Sequence, residues 1–217
     1  MRKITALVLS SFFFVSLASA EIGVNVGVSL SAGAFQATGT ETEKDEKNKE
    51  DAVGAAGWGS IFVEKALGER FAIGIDYVPS ALESETSTLT QKDIKGVGTS
   101  SADAANKVQV DFNDLTTLYV SVNLTDNLYA KVGHMSVDVD TNETLGTGSK
   151  YGNTSLDGTL VALGWNTGFG NNMFVRVEGN YMQFDGASLT SSTNSDNKIE
   201  LTDLNGASAK LSVGKSF

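Results

Sequence analysis

Few residues in this chain have types and spacing suited to chemistry. His134-Met135-Ser136 puts an imidazole and a hydroxyl two positions apart, which on an extended segment places both on one face. A Ser nucleophile with a His base is geometrically conceivable there, with Asp140 or Glu143 to orient the imidazole. Asp138-Val139-Asp140-Thr141-Asn142 opens like a calcium loop, but Glu143 stands at the sixth position where Gly is needed and Ser149 at the twelfth in place of a bidentate Glu. Gly146-Thr147-Gly148-Ser149-Lys150 lacks the Gly-Lys-Ser/Thr order of a phosphate loop. His134 is the single histidine in 217 residues and there is no Cys, so disulfides and thiolate-held zinc or iron–sulfur sites are excluded. These residues assign no catalytic, cofactor-binding or metal-binding position.

Charge narrows the field further. A net charge of −10 argues against nucleic-acid binding, which needs clustered Lys and Arg to neutralise phosphates. The chain opens with Arg2 and Lys3, an apolar run from Ile4 to Leu17 and the small-x-small sequence Ala18-Ser19-Ala20, the pattern of an exported leader over residues 1–20. The run is about 14 residues, short of the roughly 20 that a helix needs to cross hydrocarbon. Cleavage before Glu21 leaves 14 bases against 26 acids, a mature net charge of −12. No later apolar run has the length of a membrane helix, so the mature chain, residues 21–217, is either soluble or a barrel.

The elements that carry these residues decide between the two. From Ile22 to Ala34 one parity reads Ile, Val, Val, Val, Leu, Ala, Ala and the other Gly, Asn, Gly, Ser, Ser, Gly. That is a strand of period two whose polar face is made of tiny residues, suited to a narrow lumen rather than to open water. The same alternation recurs over 53–66, 70–79, 106–123, 127–141, 155–166, 172–186 and 197–217, which makes eight strands. In 106–123, Val108, Val110, Phe112, Leu118, Val120 and Val122 share one parity; the facing of 53–66 and 127–141 stays open. The connections alternate long and short, with every long one at the same end. Short periplasmic turns and long outer loops are the arrangement of an outer-membrane meander, so the predicted fold is all-β, an eight-stranded antiparallel up-and-down transmembrane β-barrel.

Aromatics on the lipid-facing parity are expected at both interfaces: Phe71, Tyr129 and Trp165 near the short turns, Tyr77, Phe112 and Tyr181 toward the long loops. An eight-stranded barrel has an interior that its own side chains fill. Asp76, Arg176, Glu178, Lys210 and His134 fall on inward positions, where buried charges need partners, so a paired lumen network is expected. A gated polar pore is the alternative use of the same groups. The loops over 40–51 and 80–105 are polar or of mixed charge and read as solvated and mobile.

With Leu211 and Val213 on the parity of the terminal Phe217, the last strand resembles the signal by which outer-membrane barrels are recognised for insertion. Lys215 departs from it, standing where an apolar or aromatic residue is usual. The mature chain as a whole resembles the small eight-stranded barrels of Gram-negative bacteria, the opacity-type, OmpX-like and OmpA-transmembrane-like proteins. That resemblance implies residence in the outer membrane after passage through the periplasm, contact with outer-membrane lipid and the barrel-assembly machinery, and a structural or surface-interaction role through long outer loops with an unidentified ligand or partner. It implies no cofactor. Two further readings accompany it, a narrow porin-like channel and a lipid A-modifying hydrolase. The second rests on the likeness of His134-Met135-Ser136 to the His-x-Ser spacing of barrel-type lipid A deacylases, although Val137 stands where that family has Asn.

Overall fold

The computed structural model describes residues 23–43, 46–84, 86–94, 101–146 and 148–217. The leader expected over residues 1–20 lies outside them. Eleven strands follow in order: β1 (Val24–Glu43), β2 (Glu46–Leu67), β3 (Phe71–Tyr77), β4 (Leu82–Glu83), β5 (Ser87–Ile94), β6 (Ser101–Asn123), β7 (Leu128–Thr144), β8 (Thr154–Phe169), β9 (Met173–Phe184), β10 (Ala187–Thr190) and β11 (Asn197–Ser216). Eight of them, β1, β2, β3, β6, β7, β8, β9 and β11, form an antiparallel ring that closes where β1 pairs with β11 from Asn25–Ser216 to Glu43–Asn197. The other three are outer additions: β4 and β5 pair with β6, and β10 with β11. This is the eight-stranded up-and-down transmembrane barrel that the alternation and the sorted loops predict.

Register fixes the barrel's shape. Partners followed once around from Val26 run through Val63, Ile75, Leu118, His134, Thr159, Gln183 and Asn205 and return to β1 at Gln36, ten residues beyond the start. A shear of ten over eight strands, with ordinary rise and spacing, gives a tilt of about 40°. The short turns need left-handed backbone: Gly68 sits at φ 71°, and Asn171 and Asn172 sit at 64° and 59°, a region that Gly and Asn tolerate best.

Facing follows the pleat. Val28, Leu30, Val120, Val132, Val161, Leu163, Val177 and Leu211 are exposed on the outside, the apolar band of a membrane barrel. On β2, Trp58, Phe62 and Glu64 all turn inward; on β7, Tyr129, Lys131, Val137 and Val139 do. Tyr129 is therefore not a girdle residue. It is 4% exposed and lies in the lumen. Phe71, Tyr77, Trp165 and Tyr181 occupy the outer face.

Phe112 also departs from the girdle, for a different reason. Between Asn113 and Thr116, β6 advances three residues while its partner β7 advances from Asp138 only to Ser136, so β6 carries one extra residue, with Asp114 at φ 53°. The bulge reverses the parity of β6. Leu118 and Val120 face outward below it, whereas Val110 and Phe112 turn in against the core above it.

The outer end is more ordered than its composition predicts. β1 and β2 remain paired from Gln36–Val53 to Glu43–Glu46, and β5 pairs with β6 from Ser87–Val108 to Ile94–Ser101. Polar composition removes the apolar signal for a strand, but it does not remove the ladder that a neighbouring strand propagates.

Candidate functional site

Three ion pairs occupy the short-turn half of the lumen. Arg176 of β9 donates from Nη1 and Nη2 to Oε2 and Oε1 of Glu64 on β2 at 2.9 and 2.8 Å, a bidentate pair. Glu64 also accepts from Asn25 Nδ2 at 2.8 Å and from the Tyr119 hydroxyl at 3.2 Å. Lys131 of β7 meets Glu178 Oε2 at 2.5 Å, and the Tyr129 hydroxyl donates to the same oxygen at 2.8 Å. Lys210 of β11 donates to Asp76 Oδ2 of β3 at 2.5 Å. The three acids and three bases balance inside an interior where an unpaired charge would carry a full desolvation penalty.

Asp76, Arg176, Glu178 and Lys210 thus all lie in the lumen, but they do not pair solely with one another. Glu64 and Lys131 complete the network. The sequence carries little signal for either: each stands three residues from a short turn, at the end of β2 and the start of β7, and each shares its parity with apolar residues, Glu64 with Phe62 and Lys131 with Val137. His134 does not join them. It points outward with its side chain 66% exposed, because it shares a parity with Val132 and not with Lys131.

Glycine on one strand positions the aromatics of the next. A Cβ at Gly164 of β8 would fall within the Tyr129 ring, and one at Gly74 of β3 within the Tyr119 ring. Each ring therefore lies flat across its neighbour and directs its hydroxyl at a carboxylate. The cations stack on the same rings: Lys131 Nζ is 4.4 Å from the Tyr119 centroid, and the Arg176 guanidinium carbon is 5.4 Å from that of Tyr129.

Toward the outer end the lumen becomes apolar. Trp58, Val78, Met135, Leu160 and Met182 form a layer above the ion pairs, continued by Val137, Leu156, Phe184 and Leu204. Phe35 packs on Trp58 with ring centroids 5.9 Å apart. At the opposite end, an open vestibule between the short turns reaches inward as far as Phe174 and Arg176. Among the described residues, no group of three or more His, Cys, Asp or Glu is placed to hold a metal ion.

On the outer face His134 Nε2 lies 3.5 Å from Asp157 Oδ1. Ser136 is the register partner of Asp157 and shares the parity of His134. These three polar groups sit together where the apolar band ends. Leu211, Val213 and Phe217 also face outward, and Phe217 closes the seam by donating its N–H to the Val24 carbonyl at 2.9 Å. Lys215 Nζ lies 5.2 Å from the Phe217 ring centroid.

A second polar cluster ties the outer segments together. Asn197 Nδ2 donates to Ser149 Oγ at 2.9 Å and reaches Glu43 Oε1 at 3.5 Å, so the end of β1, the β7–β8 connection and the start of β11 meet in one buried knot. Beside it the Tyr151 N–H donates to Glu143 Oε1 at 2.5 Å. Burial pushes the Glu143 carboxyl above the usual carboxylate range, against the opposing hydrogen bond from Tyr151. Burial likewise raises the Tyr151 phenol, and the charges of Glu41 and Glu43 add to the shift.

No known family pattern matches the chain, and no curated protein matches it in sequence. Solved structures do resemble it. The outer membrane protein OprG from Pseudomonas aeruginosa superposes with a TM-score of 0.50 at 14% identity, over 91% of this chain and 99% of that one. The outer membrane protease OmpT from Escherichia coli gives 0.49 at 12% identity, over 94% and 99%. Ail, the attachment invasion locus protein of Yersinia pestis, gives 0.32 at 9% identity, over 86% and 98% in its complex with sucrose octasulfate. The chain has the fold of the small outer-membrane β-barrels.

Proposed function

We propose that this protein is an outer-membrane barrel packed shut through its lumen, and that it acts through its outer end as a structural and surface-interaction protein. The observation that carries this reading is the contrast between its two parts. Ion pairs and an apolar layer fill the interior, while the β1–β2 ladder runs on past Gln36–Val53 to Glu43–Glu46 and the Asn197 knot joins it to the neighbouring segments. A tied, β-structured platform loses less entropy on meeting a partner than a mobile loop does. In this reading Leu211, Val213 and Phe217 are the face that the last strand offers to the assembly machinery, and the apolar band contacts outer-membrane lipid.

Two measurements on the full mature chain test it. In planar bilayers the refolded barrel is expected to give no stable conductance steps; steps that change with Arg176→Met would establish the narrow channel instead. Binding of vesicles carrying the barrel to host-type cell surfaces is expected to fall when residues 38–51 are replaced by a two-residue turn, with the heat-modifiable band unchanged. Undiminished binding would remove the platform from the reading.

A second reading is favoured by the outward placement of His134, Ser136 and Asp157. A Ser136 hydroxyl attacking a lipid ester, with His134 taking its proton and returning it to the lipid alcohol as the ester C–O bond breaks, Asp157 stabilising the imidazolium and water then releasing the acyl group from Ser136, needs these three groups on the lipid side of the wall. Acyl release from lipid A vesicles that is abolished by Ser136→Ala supports it, and release unaffected by that change removes it.

A further inference from the structure

Above the Trp58–Met135–Met182 layer the barrel holds a cavity of about 160 Å³ that neither the ion pairs nor the outer platform uses. Its walls are Phe35, Leu82, Phe112, Leu115, Phe184 and Leu204, drawn from β1, β4, β6, β9 and β11 and the bulge of β6. Polar lining is confined to the mouth, at Glu83 and Ser84, and the Ser84 hydroxyl is already engaged as acceptor of the Val110 N–H at 2.8 Å. A water inside would find too few hydrogen-bonding partners to be held.

The cavity has an entrance. Above Ser60, β2 is paired only with β1, and β4 is paired only with β6, so no ladder joins β2 to β4. Gly54 and Ala55 line one side of that gap and Glu83 and Ser84 the other, all four exposed. Small residues on the β2 side leave the mouth uncovered. It lies on the long-loop side of Tyr77 and Tyr181, facing the exterior, and the packed layer below closes it toward the ion pairs.

We propose that this cavity is a binding site for an uncharged single-ring aromatic molecule entering from the outer side between β2 and β4. Size supports the assignment: an apolar protein cavity of about 150 Å³ lined by Leu, Ile and Phe takes up benzene. Wall chemistry supports it too, since Phe35, Phe112 and Phe184 offer edges and faces to a guest ring. An unfilled apolar void of this size forfeits packing contacts that such a guest restores. Phe112 takes part only because the bulge at Asp114 turns it inward, and Tyr77 holds that bulge by donating its hydroxyl to Asp114 Oδ1 at 2.6 Å.

The test uses the full mature chain in lipid nanodiscs with ¹³C-methyl methionine, titrated with toluene. Met182 lines the cavity, whereas Met173 lies near the short turns and serves as the internal control for partitioning into lipid. A saturable shift of the Met182 methyl, with Met173 moving only linearly, is expected, as is loss of the saturable component in Ala56→Leu, which fills the cavity. Dodecanoate, standing in for a lipid chain, is expected not to compete. A Met182 shift that never saturates overturns the proposal, and so does a site taken by dodecanoate in preference to toluene. The competition in the unaltered protein decides the matter even where Ala56→Leu does not fold.

Discussion

Arg176 and Glu64, 112 residues apart in the chain, meet across the lumen with both guanidinium Nη atoms on both carboxylate oxygens, at 2.8 and 2.9 Å. Removing one partner leaves the other buried without its counter-charge, which costs about 3–5 kcal/mol. Arg176→Met is therefore expected to lower the stability of the folded barrel by that amount. The double variant Glu64→Leu/Arg176→Met is expected to recover most of it, because a well-packed apolar pair removes both desolvation penalties. Urea unfolding in lipid vesicles, followed by the heat-modifiable gel band, measures both. Equal losses in the single and double variants would mean that the pair is not energetically coupled.

How much of this was readable before the structure depends on whether the signal sits on one strand or between two. The lipid-facing parity of β1, β9 and β11 is written along each strand, because Val28, Val177 and Leu211 alternate with Ser29, Glu178 and Ser212. The facing of Tyr129 is not, since a Tyr suits an interfacial girdle as well as a lumen; what settles it is Gly164 directly opposite on β8, and a register between strands has no local signature. Phe112 was hidden by the bulge, whose extra residue at Asp114 reverses the parity above it without any Gly or Pro to announce it. His134 shares its parity with Val132 but also with Ser136, Asp138 and Asp140, so β7 alone does not say which face meets lipid; its pairing with β6 and β8 does.

The dependence of Tyr129 on a residue that it does not bond makes Gly164 a sensitive position. A methyl there occupies the space of the ring, so Gly164→Ala is expected to displace Tyr129, break its hydrogen bond to Glu178 and cost about 1–3 kcal/mol, the usual penalty of overpacking. Gly168, on the same strand, supplies the control: its added Cβ meets only the Met173 carbonyl oxygen, at an ordinary 3.8 Å. Near-ultraviolet circular dichroism and urea midpoints of the two variants report the difference. If Gly168→Ala is as damaging as Gly164→Ala, the close approach of ring to glycine is not what the site requires.

At the outer end, the half-buried Glu143 carboxyl makes the tie between β7 and the segment after it sensitive to pH. Its pKa is raised in the folded chain, so the proton is held more tightly there than when the segment opens, and ionisation favours opening. The stabilisation is complete below the ordinary carboxylate range and is lost as pH rises through the elevated value of the folded state. Hydrogen exchange of the Tyr151 amide, which donates to Glu143 Oε1, reads this directly. Comparing the protein with Glu143→Gln at each pH cancels the intrinsic dependence of exchange on pH. The variant, uncharged throughout, is expected to keep constant protection from mildly acidic to neutral pH, while the unaltered protein loses protection relative to it. Parallel profiles would show that Glu143 stays ionised in the fold and that the cluster is held by its other hydrogen bonds, chiefly those of Asn197 to Ser149 and Glu43.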